Sequence, residues 1–430
     1  MSNTKPQGDF KKVSLSIFIK SFIPAKQGIV IYRGDDMKKF LKGALCAVLC
    51  VAVLISPANI CAAGENETDV VLEIGDLAPF DLDCLSAVLM DSATGTVLYE
   101  KNPDEALPPA SVTKIMTLLL VMEAIDSGKL KLEDKLQASE YGASMGGSQV
   151  YLEPGEEMSV DDLLKCVVVS SANDAAVTLA EAVAGTESGF ITMMNDRARE
   201  LGMTSTNFEN ATGLDDTTVN HVTSARDIAI MSRELMSHPL ILQYSSIWMD
   251  TVREGAFGLS NTNRLIRFYS GATGLKTGST SKAKFCISAT ACRDGLHLIA
   301  VIMGAPTRDI RNEAAKTLLD YGFANFSLYT DTGGQGDNVK VLGGVADECP
   351  TVYEPFCALM RKGDSSKVVL NIEAAQSIAA PVKEGDVIGK VTYTVGEEVV
   401  GETPLLAGQT VEKISFRGLF LRMLGHFSVS

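Results

Sequence analysis

The sequence predicts an α+β domain followed by a small all-β domain. Strand-like runs near both ends of the first three quarters of the chain enclose a helix-rich middle, a pattern of segregated elements that defines the α+β class. From Ser327 onward the texture changes to β-rich segments with Gly and Asp punctuation. The 430 residues leave room for two or three domains of about 100–200 residues each.

Taken in order, the first feature is a signal-peptide layout over residues 37–63. Lys38, Lys39 and Lys42 precede an apolar run from Ala44 to Ile55, and small residues at Cys61-Ala62-Ala63 set cleavage after Ala63. The run, about a dozen residues, is too short for a span of roughly 20. Export to the outer face of the cytoplasmic membrane or the cell wall is therefore expected. Met37 is itself a natural start, so residues 1–36 read as an extension, untranslated or disordered. Cys166 and Cys286 sit in apolar segments and are expected to be buried thiols.

Ala87 to Met90 and Gly95 to Tyr99 read as an opening hairpin around a polar turn. From Ser111 to Asp126 the pattern is helical and almost wholly apolar, which predicts a buried helix. Helices are expected at Val160–Ser170, Asp174–Ala184, Phe190–Leu201 and Ala225–Met236. Strands follow at Cys286–Cys292 and Leu296–Met303 about the turn Arg293-Asp294-Gly295, then a last helix over Arg311–Tyr321. We expect the first domain to occupy 80–326 and the β-rich one 327–410, with strands such as Lys367–Ile372 and Val387–Val395. Residues 411–430 read as an amphipathic helix suited to a membrane surface, with Ile414, Phe416, Leu419, Phe420 and Met423 among Lys413, Arg417 and Arg422.

The balance of 38 basic against 53 acidic residues gives a formal charge of −15, which excludes a field that would draw a phosphate backbone, so no nucleic acid is expected as partner. Cysteines and histidines show no metal-ligand spacing, so no metal is expected.

Three short motifs carry chemistry. Ser111-Val112-Thr113-Lys114 opens the buried helix, placing a hydroxyl at the positive end of the helix dipole and a lysine one turn on, where desolvation would make it a base. Alone it reads more readily as a capping serine with a solvated lysine, and Ser279 and Lys282 repeat the spacing. Ser171-Ala172-Asn173 offers a hydroxyl and an amide to relay a proton and hold a carbonyl, although Ser205-Thr206-Asn207 matches too and a helix cap is the plainer reading. Lys276-Thr277-Gly278 beside a strand would bind a carboxylate, the glycine letting backbone approach substrate. Their occurrence together, in this order and each at an element boundary, gives the signal its weight.

With Asn210 to Asp215, Thr223 to Asp227 and Asn261 to Leu265, these motifs resemble the low-molecular-mass penicillin-binding proteins of the D-alanyl-D-alanine carboxypeptidase family, over about Leu85 to Leu406. The resemblance implies a penicillin-binding/β-lactamase-like transpeptidase fold, an antiparallel sheet with helices plus a helical subdomain. It implies that Ser111 attacks the carbonyl between two terminal D-alanines of a peptidoglycan stem peptide, that Lys114 takes its proton, and that penicillins acylate the same serine. Ser171 and Asn173 would assist proton transfer and position substrate; Lys276, Thr277 and Arg311 would hold the terminal carboxylate. The backbone N–H groups of Ser111 and Ser279 would form the oxyanion hole beside Gly278. No cofactor is implied, and the tail would be a membrane anchor. Lys284 departs from the family, which carries glycine there, and would alter the pocket floor or point to solvent.

Other readings stand beside this one. A class A β-lactamase would add a Glu-x-x-Leu-Asn loop, which is absent between Asn173 and Lys276. A D-alanyl endopeptidase would use the same residues, and a non-catalytic wall-binding protein would retain the fold alone.

Overall fold

The computed structural model describes residues 80–427. The signal layout and the extension before it lie outside the described residues.

A five-stranded antiparallel sheet forms the frame. β1 (Ser86–Asp91) and β2 (Val97–Lys101) make the opening hairpin; β3 (Ala272–Thr280), β4 (Lys284–Arg293) and β5 (Leu296–Ala305) come from far along the chain. The sheet order is β2-β1-β5-β4-β3. β5 shows how sequence selects the two faces, since successive side chains on a strand point to opposite sides. Its Leu298, Ala300 and Ile302 join one core, whereas Ile299, Val301 and Met303 join the other.

The expected helices are present as α1 (Lys114–Asp126), α2 (Val160–Val169), α3 (Asn173–Ala184), α4 (Glu187–Glu200), α5 (Ala225–Met236) and α6 (Arg308–Asn325). α1 has no polar face to offer water: Lys114 through Met122 are all buried. Each large apolar side chain buried there contributes roughly 1.5–3 kcal/mol. α6 covers the opposite face of the sheet through Ala315, Leu318, Leu319 and Phe323. It starts three residues before the expected Arg311 because Thr307 caps it, its hydroxyl accepting from the Ile310 N–H. α4 likewise starts earlier than Phe190, at Thr186, whose hydroxyl accepts from Gly189.

The chain then enters β6 (Phe326–Asp331), which pairs with β9 (Phe356–Arg361). A six-stranded sheet follows in the order β10-β12-β13-β8-β7-β11, where β7 is Gly334–Leu342, β8 Glu348–Tyr353, β10 Val368–Ala374, β11 Ser377–Ala379, β12 Val387–Val395 and β13 Glu398–Ala407. Phe356 stacks on the buried Tyr393 at 4.1 Å between ring centroids. The tail differs from expectation at its start. Val411 pairs with Val382 and Lys413 with Gly344, so the helix, α7 (Phe416–Phe427), begins five residues late. Among the described residues no helix is long and apolar enough to cross a membrane.

Cys166 and Cys286 are buried thiols, as expected, and burial pushes them up to about 12 and about 11 respectively.

Candidate active site

The serine of the first motif does not cap a helix over a solvated lysine. Ala110–Thr113 form one 3-10 turn that runs into α1, leaving Ser111 half-buried while Lys114 is 0% exposed. The Lys114 Nζ lies 3.0 Å from Ser111 Oγ, 2.6 Å from Asn173 Oδ1 and 2.8 Å from the Thr212 carbonyl. Burial holds this amine well below its ordinary value, and the charge of Lys276 pushes the same way against the opposing pull of Asp174. A neutral amine has two N–H donors and one lone pair. Asn173 Oδ1 and the Thr212 carbonyl are pure acceptors and take both donors, so the lone pair is left for the Ser111 hydroxyl proton.

Each acceptor is itself fixed. Asn173 Nδ2 donates to the Gly146 carbonyl at 2.6 Å, which fixes its amide orientation, and it opens α3 from a buried position. The neighbouring Asp174 carboxylate accepts from the N–H groups of Val150 and Leu152, holding the loop that carries Gly146. Asn173 Oδ1 therefore holds the Lys114 amine in place. Thr212 belongs to a loop closed by Asn210 Oδ1, which accepts from Gly213 N at 2.6 Å. Gly213 has φ +83°, and a Cβ there would sit 1.8 Å from the Ala110 carbonyl oxygen. Only glycine lets this loop approach the nucleophile turn.

The third motif lies on β3, which runs beside that turn. A Cβ on Gly278 would meet the Ser111 nitrogen at 2.9 Å and the Pro109 oxygen at 2.8 Å, so glycine brings strand and turn together. Lys276 is 1% exposed, and its Nζ donates to Ser171 Oγ and to the Thr277 carbonyl, both at 2.9 Å. Burial, with Arg311 second, pushes Lys276 down to about 7. Ala110 and Ser171 hold φ of +50° and +63°, a strain of about 1–3 kcal/mol each that such sites tolerate when the surroundings fix them.

The three motifs thus converge across 59 residues from Lys114 to Asn173 and 105 from Ser171 to Lys276. A cavity of about 430 Å³ opens over them, with Ser111, Ser171, Thr277, Gly278, Ser279 and Arg311 in its lining. Lys114, Asn173 and Lys276 stand behind it. Arg311 is 2% exposed and donates to Asn312 Oδ1 and the Cys286 carbonyl; burial first, and then the charge of Arg308, lower its guanidinium to about 10. Lys284 does not line the cavity: it is exposed on the β3–β4 turn with φ +58°, where a glycine would sit without strain. The decoys go elsewhere. Ser205 and Thr206 bond the Asp227 carboxylate, and Lys282 donates to the Asp215 carbonyl.

The rim is formed by Ser148, Trp248, Thr262, Arg264 and Arg308. Sequence reasoning singled out the segment Asn261 to Leu265 without a role for Thr262 or Arg264, and missed Ser148, Trp248 and Arg308, which no motif joins to it. It also missed His221, whose Nδ1 accepts from the Glu209 N–H, leaving Nε2–H to donate to Thr113 Oγ1 at 2.8 Å. Burial pushes this ring down to about 4, keeping it neutral beneath the nucleophile turn.

A serine at a helix start, a desolvated lysine within hydrogen-bond reach of its hydroxyl and a strand edge alongside define a serine acyl-transfer enzyme. Comparison with known proteins makes the class specific. The profile of the D-alanyl-D-alanine carboxypeptidase family matches residues 75–307, and that of the penicillin-binding protein 5 C-terminal domain matches 331–413. The carboxypeptidase DacF of Bacillus subtilis is 42% identical over 80% of this chain and 90% of its own length. DacC of Escherichia coli is 33% identical over 78% and 86%. Among solved structures, penicillin-binding protein 5 of Haemophilus influenzae superposes with a TM-score of 0.68 at 31% identity, covering 79% of this chain and all of that one. Penicillin-binding protein D2 of Listeria monocytogenes, in its ampicillin-bound form, gives 0.53 at 34% identity over 57% of this chain and all of its own. The chain belongs to the D-alanyl-D-alanine carboxypeptidase family of serine peptidases.

Proposed function

We propose that Ser111 and Lys114 carry out removal of the terminal D-alanine from peptidoglycan stem peptides. The observation that carries this reading is the fully buried Lys114 Nζ, which lies 3.0 Å from Ser111 Oγ while Asn173 Oδ1 and the Thr212 carbonyl hold it from the other sides. Lys114 takes the Ser111 proton as the oxygen bonds the scissile carbonyl carbon. The N–H groups of Ser111 and Ser279 stabilise the resulting oxyanion. The C–N bond then breaks, the amine of D-alanine takes a proton through Lys114 and Ser171, and water cleaves the ester to free Ser111. Protonated Lys276, Thr277 and Arg311 hold the substrate carboxylate. A penicillin enters by the same attack.

Among the described residues no Asp or Glu lines the cavity, so none of them offers a carboxylate to drive the deacylating water as a class A β-lactamase requires. That favours slow release of a penicilloyl group.

The test is D-alanine release from an acylated D-alanyl-D-alanine peptide, followed against pH. kcat/KM reports groups on the free enzyme. It rises with pH as Lys114 loses its proton and falls as Lys276 does, with the alkaline limb near the Lys276 value of about 7. Lys276→Arg, which keeps its charge, should move that limb upward. No D-alanine release from folded protein sinks the reading; an unmoved limb removes Lys276 from carboxylate binding.

We further propose an exported enzyme held at a membrane surface by α7. Phe416, Leu419, Phe420, Leu421 and Met423 are all exposed on it, and the signal layout at 37–63 supports export. The protein should float with anionic vesicles, and a chain ending at Ser415 should stay at the bottom of the gradient; equal behaviour of the two removes the anchor.

A further inference from the structure

The carboxylate end of the cleft holds more positive charge than one carboxylate needs. Along β3, Gly278 lies against the nucleophile turn. Moving away from it, Thr277 Oγ1 bonds Thr262 Oγ1 at 2.7 Å, and Asn263 Nδ2 donates to the Gly274 carbonyl. The segment carrying Asn261 to Arg264 therefore flanks the half of β3 that would receive the leaving residue. Arg308 and Arg311, both on α6, line the same cavity, and Arg311 donates to the carbonyl of Cys286, the β4 partner of Gly278.

Arg264 and Arg308 are both exposed, and both line the cavity. Neither makes an ion pair or a side-chain hydrogen bond among the described residues. Elsewhere in the α+β domain Arg197, Arg199, Arg226, Arg253 and Arg293 each meet a carboxylate, while Arg233 donates to the Ser92 and Ala93 carbonyls and Arg267 stands over the Trp248 and Phe268 rings. In a chain of charge −15, two unpaired guanidiniums facing one cavity are not explained by a shortage of partners. Trp248 lines the same cavity, with Phe268 edge-on at 6.1 Å and Arg267 over its ring at 5.8 Å. This is an apolar wall with a cationic rim. Planar guanidiniums suit bidentate recognition of carboxylates.

Resting on the carboxypeptidase reading above, we propose that Arg264 and Arg308 form a second anion subsite on the leaving-group side. It selects peptides whose leaving residue bears another carboxylate beyond the one held by Lys276 and Thr277. Trp248 packs on the aliphatic part of that residue. Beside D-alanine, the site thus takes larger leaving groups that carry a second carboxylate.

The test compares kcat/KM of the full chain on three acyl peptides ending in D-Ala-D-Ala, D-Ala-D-Gln and D-Ala-D-Glu. Gln and Glu match in size, so their ratio isolates the charge. The wild type should favour the D-Glu peptide by about tenfold or more, a difference of about 1.4 kcal/mol. In Arg264→Gln/Arg308→Gln the ratio should fall to about one. Because it is a ratio within one sample, partial misfolding does not affect it. A wild-type ratio of one or below with normal D-Ala-D-Ala cleavage overturns the subsite alone, as does a ratio unchanged in the double variant. Cleavage of the D-Glu peptide but not of D-Ala-D-Ala supports the subsite and overturns D-alanine as the natural leaving group. No cleavage of any of the three removes both.

Discussion

Ser111→Ala, Lys114→Met and the double variant are expected to fall to one common residual rate of peptide cleavage, about 10⁴-fold or more below wild type. Groups that act as one unit are grossly non-additive: once either is lost, the other has nothing to do. Ser111 without Lys114 keeps its proton, because among the described residues no carboxylate lines the cavity to replace the base. Lys114 without Ser111 has a lone pair and no hydroxyl to deprotonate. Intact-mass spectrometry after benzylpenicillin gives a second readout, with a penicilloyl adduct expected on wild type and on none of the three variants. Methionine also leaves Asn173 Oδ1 and the Thr212 carbonyl without the donor they now share, at about 1–3 kcal/mol for each buried unpaired group. Folding is therefore checked by near-ultraviolet circular dichroism before rates are compared. Retention of more than a hundredth of wild-type activity by folded Lys114→Met would assign the base to another residue.

The second large effect is expected from a residue with no side chain. Gly213→Ala should destabilise the protein by at least about 3 kcal/mol, in the range reserved for backbone strain combined with a steric clash. It should also slow acylation of whatever folds. The new methyl would lie 1.8 Å from the Ala110 oxygen and 2.8 Å from Thr113 Oγ1. Backbone on both sides must move, and Ala110 adjoins Ser111. Gly128→Ala is the matched control: its φ is +73°, yet nothing lies within 4 Å of the added atom, so it carries only the left-handed penalty of about 1 kcal/mol. Urea denaturation of the two separates clash from strain, and equal midpoints would show that the loop yields without disturbing the nucleophile.

Much of this architecture was legible because period and apolar content agree. α2 and α5 were readable to within a residue and α1 to within three, the first turn of its pattern being 3-10, since their apolar positions fill the interior, and β4 and β5 announced themselves through the Asp294-Gly295 turn. The ends of α4 and α6 were less legible, because Thr186 and Thr307 set them by side-chain caps several residues ahead of the apolar pattern. The tail was misread at Val411, whose apolar character serves a bridge to Val382 as well as it would serve a helix. Site chemistry was legible as three motifs, but their roles were only partly so. Nothing local told that Asn173 faces Lys114, because that contact spans 59 residues and depends on Gly146 behind it. The rim was illegible for the same reason, as Trp248, Arg264 and Arg308 meet only through the fold.

The nucleophile turn touches both layers of the domain. Its 3-10 turn rests on β3 through Gly278, and its continuation is the central helix of the opposite core. Floor residues such as Lys114, Asn173 and Gly213 are thus each committed to several neighbours at once, whereas Arg264 and Arg308 have no internal partner to lose. Two tempos of change follow within one cavity. Substrate range can drift at the rim by single substitutions that leave the interior untouched, while the floor can change only in concert, and so the chemistry outlasts the diet.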